Sequence, residues 1–290
     1  MSTLTSHAKL SGTFTIGGDL TVHRLGFGAM RITGNGIWSE PKDPVEARKV
    51  LRRTVELGVN FIDTADSYGP EVSERLIAEA LHPYPKDLVI ATKGGLTRQG
   101  PNKWAPVGRP EYLTQCVEMS LRRLRLERID LYQLHRIDPK VPAEESLGAL
   151  ADLQKAGKIR HIGLSEVSVA EIERARKTAK IASVQNRYNI SDREHESVLR
   201  YCEEHRLGFI PWFPVAAGKL VAPGGALEGA SKRHNVSVAQ LSLAWLLHHS
   251  PVMLPIPGTS SITHLEENVA AADVKLTDQE WKKIEETVAH

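Results

Sequence analysis

A chain of 290 residues, 41% hydrophobic and 25% charged, has ample material to bury a core of its own. Its net charge is only +2, with Lys and Arg interleaved among Asp and Glu, so no basic stripe marks it as a nucleic-acid binder. No apolar run approaches the roughly 20 residues that span a bilayer, and no basic flank followed by an apolar segment opens the chain. The expectation is a cytoplasmic protein with neither nucleic-acid nor membrane partners, folded as a single domain over 1–290. Cys116 and Cys202 lie on helical patterns outside any C-x-x-C and read as reduced structural thiols.

In chain order, Thr13-Phe14-Thr15-Ile16 and Leu20-Thr21-Val22 flank Gly17-Gly18-Asp19, the signature of a β-hairpin. From Leu25 onward short apolar runs alternate with amphipathic stretches of helical length. The first helix is well marked: Asp43 caps it, Pro44 suits its first position, Glu46 completes a capping box and Gly58 ends it. Strands follow at 61–62, 88–91, 129–134, 159–164, 181–184, 209–212 and 252–254. Helices are expected over 72–81, 110–124, 144–156, 168–178, 194–205, 237–247, 262–271 and 278–288. Counting the run at 25–28, the strands make eight, the number of a closed (β/α)8 TIM barrel, whose typical length is roughly 250 residues. The fold class expected is therefore α/β, a (β/α)8 TIM barrel with an N-terminal β-hairpin.

An open, doubly wound sheet is the rival, and its nucleotide fingerprint fails. Gly26-Phe27-Gly28 is followed by Arg31 where a third glycine is required, and no G-x-x-x-x-G-K-[ST] occurs. There is no H-E-x-x-H and the twelve histidines are scattered, so no metal site is expected. His248-His249 falls at a helix C-terminus, where imidazole complements the dipole.

The stretch Asn60-Phe61-Ile62-Asp63-Thr64-Ala65-Asp66-Ser67-Tyr68-Gly69 reads as a buried strand entering a loop with two carboxylates and a phenol. Two later strands end on a polar residue, Lys93 and His135. In a parallel barrel all strand C-termini open on one face, so these groups converge there. A phenol with its ordinary pKa of about 10 is a poor acid near neutrality unless a cation such as Lys93 favours its anion. Asp63 would keep Lys93 charged, Tyr68 would donate a proton to a carbonyl oxygen, and His135 would donate a hydrogen bond to the developing charge. None of the four supplies electrons, so a reduction needs a cofactor. Two other readings fit the same residues: a Schiff-base, aldolase-like barrel using Lys93 as the amine, and a non-catalytic regulatory or binding subunit on the same fold.

The run 61–69, with Thr92-Lys93 and Leu134-His135, closely resembles the signature segments of the aldo-keto reductases, and the similarity extends over about 24–280. The resemblance implies a (β/α)8 barrel plugged by the hairpin and an extended nicotinamide cofactor across the C-terminal face. It gives Asp63, Tyr68, Lys93 and His135 the catalytic roles and none to Asp66. It further implies cofactor contacts from Gly28, Ala29 and Met30 after the first strand. Ser165, Glu166 and Gln185 fall near the carboxamide, with Glu166 replacing the Asn of many members. Trp212 would stack on the nicotinamide, and Phe213, Val215, Gly218 and Lys219 would fold over the pyrophosphate. Gly258, Thr259, Ser260, His264, Glu267 and Asn268 would hold the adenosine end. Ser260 and His264 stand where many members carry Arg or Lys, so NADPH is expected with NADH possible. Trp104, on the Gly- and Pro-rich loop 94–109, is the candidate wall for a small-molecule carbonyl substrate, an aldehyde or ketone. The short segment after 278–288 implies no long C-terminal loop over the pocket, and the resemblance implies a monomer.

Overall fold

Short apolar runs bounded by glycine and polar residues become parallel strands, and the periodic stretches between them become helices. The structure, a computed structural model, describes residues 7–215 and 227–288. β1 (Thr13–Ile16) and β2 (Leu20–His23) pair antiparallel. The barrel strands are β3 (Phe27–Gly28), β4 (Phe61–Asp63), β5 (Val89–Gly94), β8 (Ile129–Leu134), β9 (Ile159–Ser165), β10 (Ile181–Gln185) and β11 (Gly208–Phe209). They form one seven-stranded parallel sheet in the order β11-β10-β9-β8-β5-β4-β3. Between β5 and β8 lies a small hairpin, β6 (Leu96–Arg98) with β7 (Trp104–Pro106). The helices are α1 (Pro44–Glu56), α2 (Val72–Leu81), α3 (Pro110–Leu124), α4 (Ala143–Lys155), α5 (Val169–Ala175), α6 (Glu196–His205), α7 (Glu228–His234), α8 (Val238–His249), α9 (Ile262–Ala270) and α10 (Asp278–Val288). A curled parallel sheet with helices along its outer face is an α/β barrel.

The run at 252–254 joins this sheet without becoming a regular strand. Phe209 N–H donates to Val252 O at 2.9 Å and Leu254 N–H to Phe209 O at 2.8 Å, while Gly26 N–H donates to Pro255 O at 2.9 Å and Gly28 N–H to Pro257 O at 3.3 Å. Segment 252–257 thus bonds both edge strands, but Pro255 and Pro257 have no N–H to return to the ladder. The same cause shortens the strand expected over 209–212: Pro211 interrupts it, and Trp212 rejoins by a single bridge to Arg187. Glu46 does not complete a capping box. Asp43 Oδ1 caps α1 by accepting from Val45 and Glu46 N–H, and the Glu46 carboxylate pairs instead with Lys49 at 3.3 Å.

The hairpin covers the N-terminal end of the barrel. Ile16, Leu20 and Val22 are buried with the inward residues Phe61, Val89, Ala91, Leu131, Ala182, Ile210, Leu254 and Ile256, and each full burial of a Leu or Ile contributes about 1.5–3 kcal/mol. Asp19 in the hairpin turn accepts from His161 Nε2 at 2.5 Å and from Arg160 at 3.0 Å, which ties the turn to β9. Gly17 holds φ +65, and a Cβ there would strike the His161 ring, so this close approach requires glycine. With one end closed, the strand C-termini are left as the open face.

Candidate active site

Side chains alternate across a strand, so residues two apart face the same way. On β5, Ala91 and Lys93 face the barrel interior, while Thr92 turns outward and donates to Glu74 at 2.6 Å. Register places Lys93 opposite Gln133 of β8 and Gln133 opposite Gly163 of β9. The interior layer so formed meets Asp63 at the end of β4. Lys93 Nζ donates to Asp63 Oδ2 at 2.5 Å, to Thr64 O at 2.8 Å and to Tyr68 Oη at 3.4 Å. Three acceptors account for the three ammonium hydrogens.

Lys93 is 0% exposed. Burial, the largest single influence, lowers its pKa, but the charges of Asp63 and Tyr68 and the hydrogen bonds to both together outweigh it and the net shift is upward, so the ammonium persists. A Schiff-base lysine needs a neutral amine within reach of substrate; this one is charged, buried and fully hydrogen-bonded. Tyr68 departs from the expectation of an anion favoured by its neighbour. Burial, the largest influence, raises its pKa above the ordinary phenol value; Lys93 opposes, and Asp63 adds to the rise. The phenol therefore keeps its proton. Because Lys93 donates to Oη, that proton is free to point elsewhere, into the cleft.

His135 stands edge-on to Tyr68, with ring centroids 5.9 Å apart, and its Nδ1 lies 3.3 Å from Ser67 Oγ. Burial, followed by the charges of Lys93, Arg136 and Arg98, pushes its pKa well below 6.5, so the ring is neutral. Two neighbours, Gln133 and Arg98, were not singled out in the sequence, and Gln185 was expected there only as a cofactor contact. Gln133 and Gln185 both donate to Asp63 Oδ1 at 2.9 Å, fixing the carboxylate from the side opposite Lys93. Arg98 lies 3.6 Å from the centre of the Trp104 ring and 5.6 Å from that of Trp38, and donates to the carbonyls of Ile37 and Ser67. One guanidinium thus holds the loop after β3, the Tyr68 loop and the hairpin carrying Trp104. An arginine ending a three-residue strand carries no periodic signal; only its separation from an aromatic, which the sequence does not give, reveals the role.

These groups open into a cleft of about 720 Å³. Of the expected residues, Gly28, Met30, Asp63, Tyr68, Trp104, His135, Ser165, Gln185, Trp212, Phe213, Val215, Gly258 and Asn268 line it. Ala29 does not: its methyl is packed with Ile32 and Leu51 in the interior, and its carbonyl accepts from Ser73. Thr259 and Ser260 line an adjoining groove of about 890 Å³, which shares Met30, Arg31, Ile37 and Gly258 with the cleft. His264 is exposed and Glu267 half-buried, both on α9, whose cap is Ser261. Glu166 is turned to Trp212, whose Nε1 donates to its Oε1. Gly218 and Lys219 lie outside the described residues.

Asp66 sits beside this site. It is 8% exposed, and its Oδ1 has no hydrogen-bond partner among the described residues. Burial and then the charge of Glu74 raise its pKa to about 7, against opposition from Cys116, Arg123 and the Ser67 amide. The folded state therefore holds this proton more tightly than the unfolded chain, whose value is near 3.8. Stability falls as pH rises between these values, and the loss is complete above pH 7. Asp66→Asn is expected to remove on the order of 2 kcal/mol of the stability lost between pH 5 and pH 8. Denaturant unfolding at the two pH values checks this; an undiminished loss in the variant would refute it.

Among the described residues, no group of three or more His, Cys, Asp or Glu is arranged to hold a metal ion, and no helix is long and apolar enough to cross a membrane. Comparison with known proteins agrees with the geometry. The model of the aldo/keto reductase family matches residues 24–289. The chain is 54% identical over 279 residues to an uncharacterized oxidoreductase of Schizosaccharomyces pombe, covering 96% of this chain and 90% of that one. It is 40% identical over 275 residues to pyridoxine 4-dehydrogenase of Escherichia coli K12, covering 93% and 96%. Its fold matches an aldo-keto reductase from Klebsiella pneumoniae solved in complex with NADPH, with a TM-score of 0.79, 25% identity and 94% of each chain covered. With a family model spanning nearly the whole chain and a buried Asp63-Lys93-Tyr68 chain at the open end of its barrel, the protein belongs to the aldo/keto reductase family of NAD(P)H-dependent enzymes.

Proposed function

We propose that this protein reduces aldehydes or ketones to alcohols with NADPH, using Tyr68 as the general acid. The observation that carries the reading is the single ammonium of Lys93, which donates at once to Asp63 and to Tyr68 Oη at the floor of the cleft. It leaves a neutral phenol whose proton faces the position of a carbonyl oxygen. His135, neutral, accepts from Ser67 at Nδ1 in the tautomer that keeps its proton on Nε2, and so offers an N–H to the same oxygen. As negative charge develops there, Lys93 stabilises it through Tyr68, and the Gln133–Asp63–Gln185 bracket holds Lys93 in place. Trp104, Leu96 and Trp212 give the cleft apolar walls beside these groups.

The residues present fit the dinucleotide. Trp212 presents a half-buried indole face to the cleft, Ser165 and Gln185 offer a hydroxyl and an amide to a carboxamide, and the joined cleft and groove give an extended ligand a path to α9. Bound reduced nicotinamide supplies the hydride. Arg31, exposed and in no ion pair among the described residues, lines the groove with Thr259 and Ser260 and offers the fixed cation that His264 does not. On this reading the chain is one domain over 1–290, a full (β/α)8 barrel with 252–257 as its eighth stave, acting on a small molecule.

The test is consumption of reduced nicotinamide with a carbonyl panel that includes sugar-derived, aromatic and pyridoxal-type aldehydes. The E. coli relative acts on pyridoxine, and the aromatic walls here suit a flat ring. NADPH is expected to give a kcat/KM about tenfold above NADH, the worth of a charged phosphate contact. Absence of turnover across the panel would overturn the assignment, and a higher kcat/KM with NADH would overturn the preference.

A further inference from the structure

The indole of Trp212 is gripped by its edge. Its Nε1 donates to Oε1 of Glu166, and the same oxygen accepts the Arg187 N–H at 2.7 Å. Glu166 follows β9 directly and holds φ +55, a left-handed conformation uncommon outside glycine. Its own N–H donates to Gln185 O at 3.0 Å. The backbone at this position is thus committed to carrying the carboxylate across to Trp212.

No cation is hydrogen-bonded to that carboxylate among the described residues. Arg187 pairs with Asp192 at 2.8 Å, its guanidinium lying over the Trp212 and Phe213 rings. Arg136, the other nearby cation, donates through Nη1 to His135 O and Ser165 Oγ and feels Glu166 only through space. Glu166 therefore keeps a net negative charge on the rim of a ring whose face lines the cleft. A carboxylate accepting an indole N–H makes the π-face more electron-rich, and such a face attracts a cationic partner more than a neutral one.

The nicotinamide ring is cationic when oxidised and neutral when reduced. We propose that Glu166, acting through Trp212, is a positioning residue that tightens binding of the oxidised cofactor relative to the reduced one. The inference rests on the nicotinamide reading of the cleft given above. It implies stronger inhibition of carbonyl reduction by the oxidised product, and a bound-state balance shifted toward oxidised cofactor and alcohol, with the equilibrium in solution unchanged.

Calorimetric titration of wild type, Glu166→Gln and Glu166→Ala with NADP+ and with NADPH tests it. Glutamine retains an acceptor for both N–H groups and removes only the charge. The ratio of the NADP+ Kd to the NADPH Kd is expected to rise about fivefold in Glu166→Gln, the effect of one charge several ångströms away in a partly screened site. Glu166→Ala is expected to raise the same ratio and to weaken both forms as the indole loses its anchor. An unchanged ratio in these variants, whether both forms weaken together or neither does, overturns the proposal and leaves Glu166 a structural role. Failure of wild type to bind either form is a separate outcome, which overturns the nicotinamide reading and the proposal with it.

Discussion

Tyr68→Phe is expected to lower carbonyl reduction by about 10²–10⁴-fold, the usual worth of a positioned general acid, while the Kd for NADPH stays within about twofold. The substitution removes one oxygen from the floor of the cleft and leaves the ring packed edge-on against Trp104 and His135 at 6.4 Å and 5.9 Å. Nothing in the groove toward Ser260 changes. The pH profile supplies a second reading of the same role. The Tyr68 pKa lies above the ordinary phenol value, so the wild-type rate should hold through neutrality and fall only in strongly alkaline solution as the proton is lost. His135, held neutral by burial, should add no inflection near 6.5. Stopped-time assays of both proteins across pH 6–10 decide the matter; equal rates would mean that the proton comes from another group.

The second large effect belongs to Lys93→Met. Lys93 and Asp63 are 0% and 2% exposed, and removing one member of a buried ion pair leaves the other as an uncompensated charge. Stability should fall by about 3–5 kcal/mol and turnover should be lost with it. Two amide donors, from Gln133 and Gln185, remain on Asp63 Oδ1 and keep the cost from being greater. Adding Asp63→Asn removes the stranded charge. The double variant should regain most of the stability and none of the activity, which separates the fold's use of this pair from the chemistry's. Urea unfolding of wild type and the two variants measures it, and a double variant no more stable than Lys93→Met would sink the account.

Most of the barrel and the polar groups gathered at its open end could be read from residues. Asp63, Lys93 and His135 each end an apolar run, and strand alternation places Lys93 on the interior layer. The parts that escaped have physical causes. β6 and β7 are three residues each, with Arg98 and Pro106 in them, too short and polar for a period-two pattern. α7 reads EGASKRH and buries only Ala230, so no apolar face announces it. Pro211, Pro255 and Pro257 interrupt strands whose apolar character is otherwise plain. The direction of the Tyr68 shift was missed because a neighbouring cation is visible in a sequence, whereas the burial that outweighs it is not. Gln133 was passed over because an isolated glutamine in a strand carries no signal until its partner across the barrel is known.

The prolines at 255 and 257 give the barrel a joint unlike its other six. Between β11 and β3 the two lips are held by one irregular segment whose bonds to β3 run in one direction only, from Gly26 and Gly28. Those same lips, at Gly28 and Gly258, face the cleft. A dinucleotide laid across them would touch both sides of this irregular closure, and binding that requires both lips in place would stabilise it by mass action.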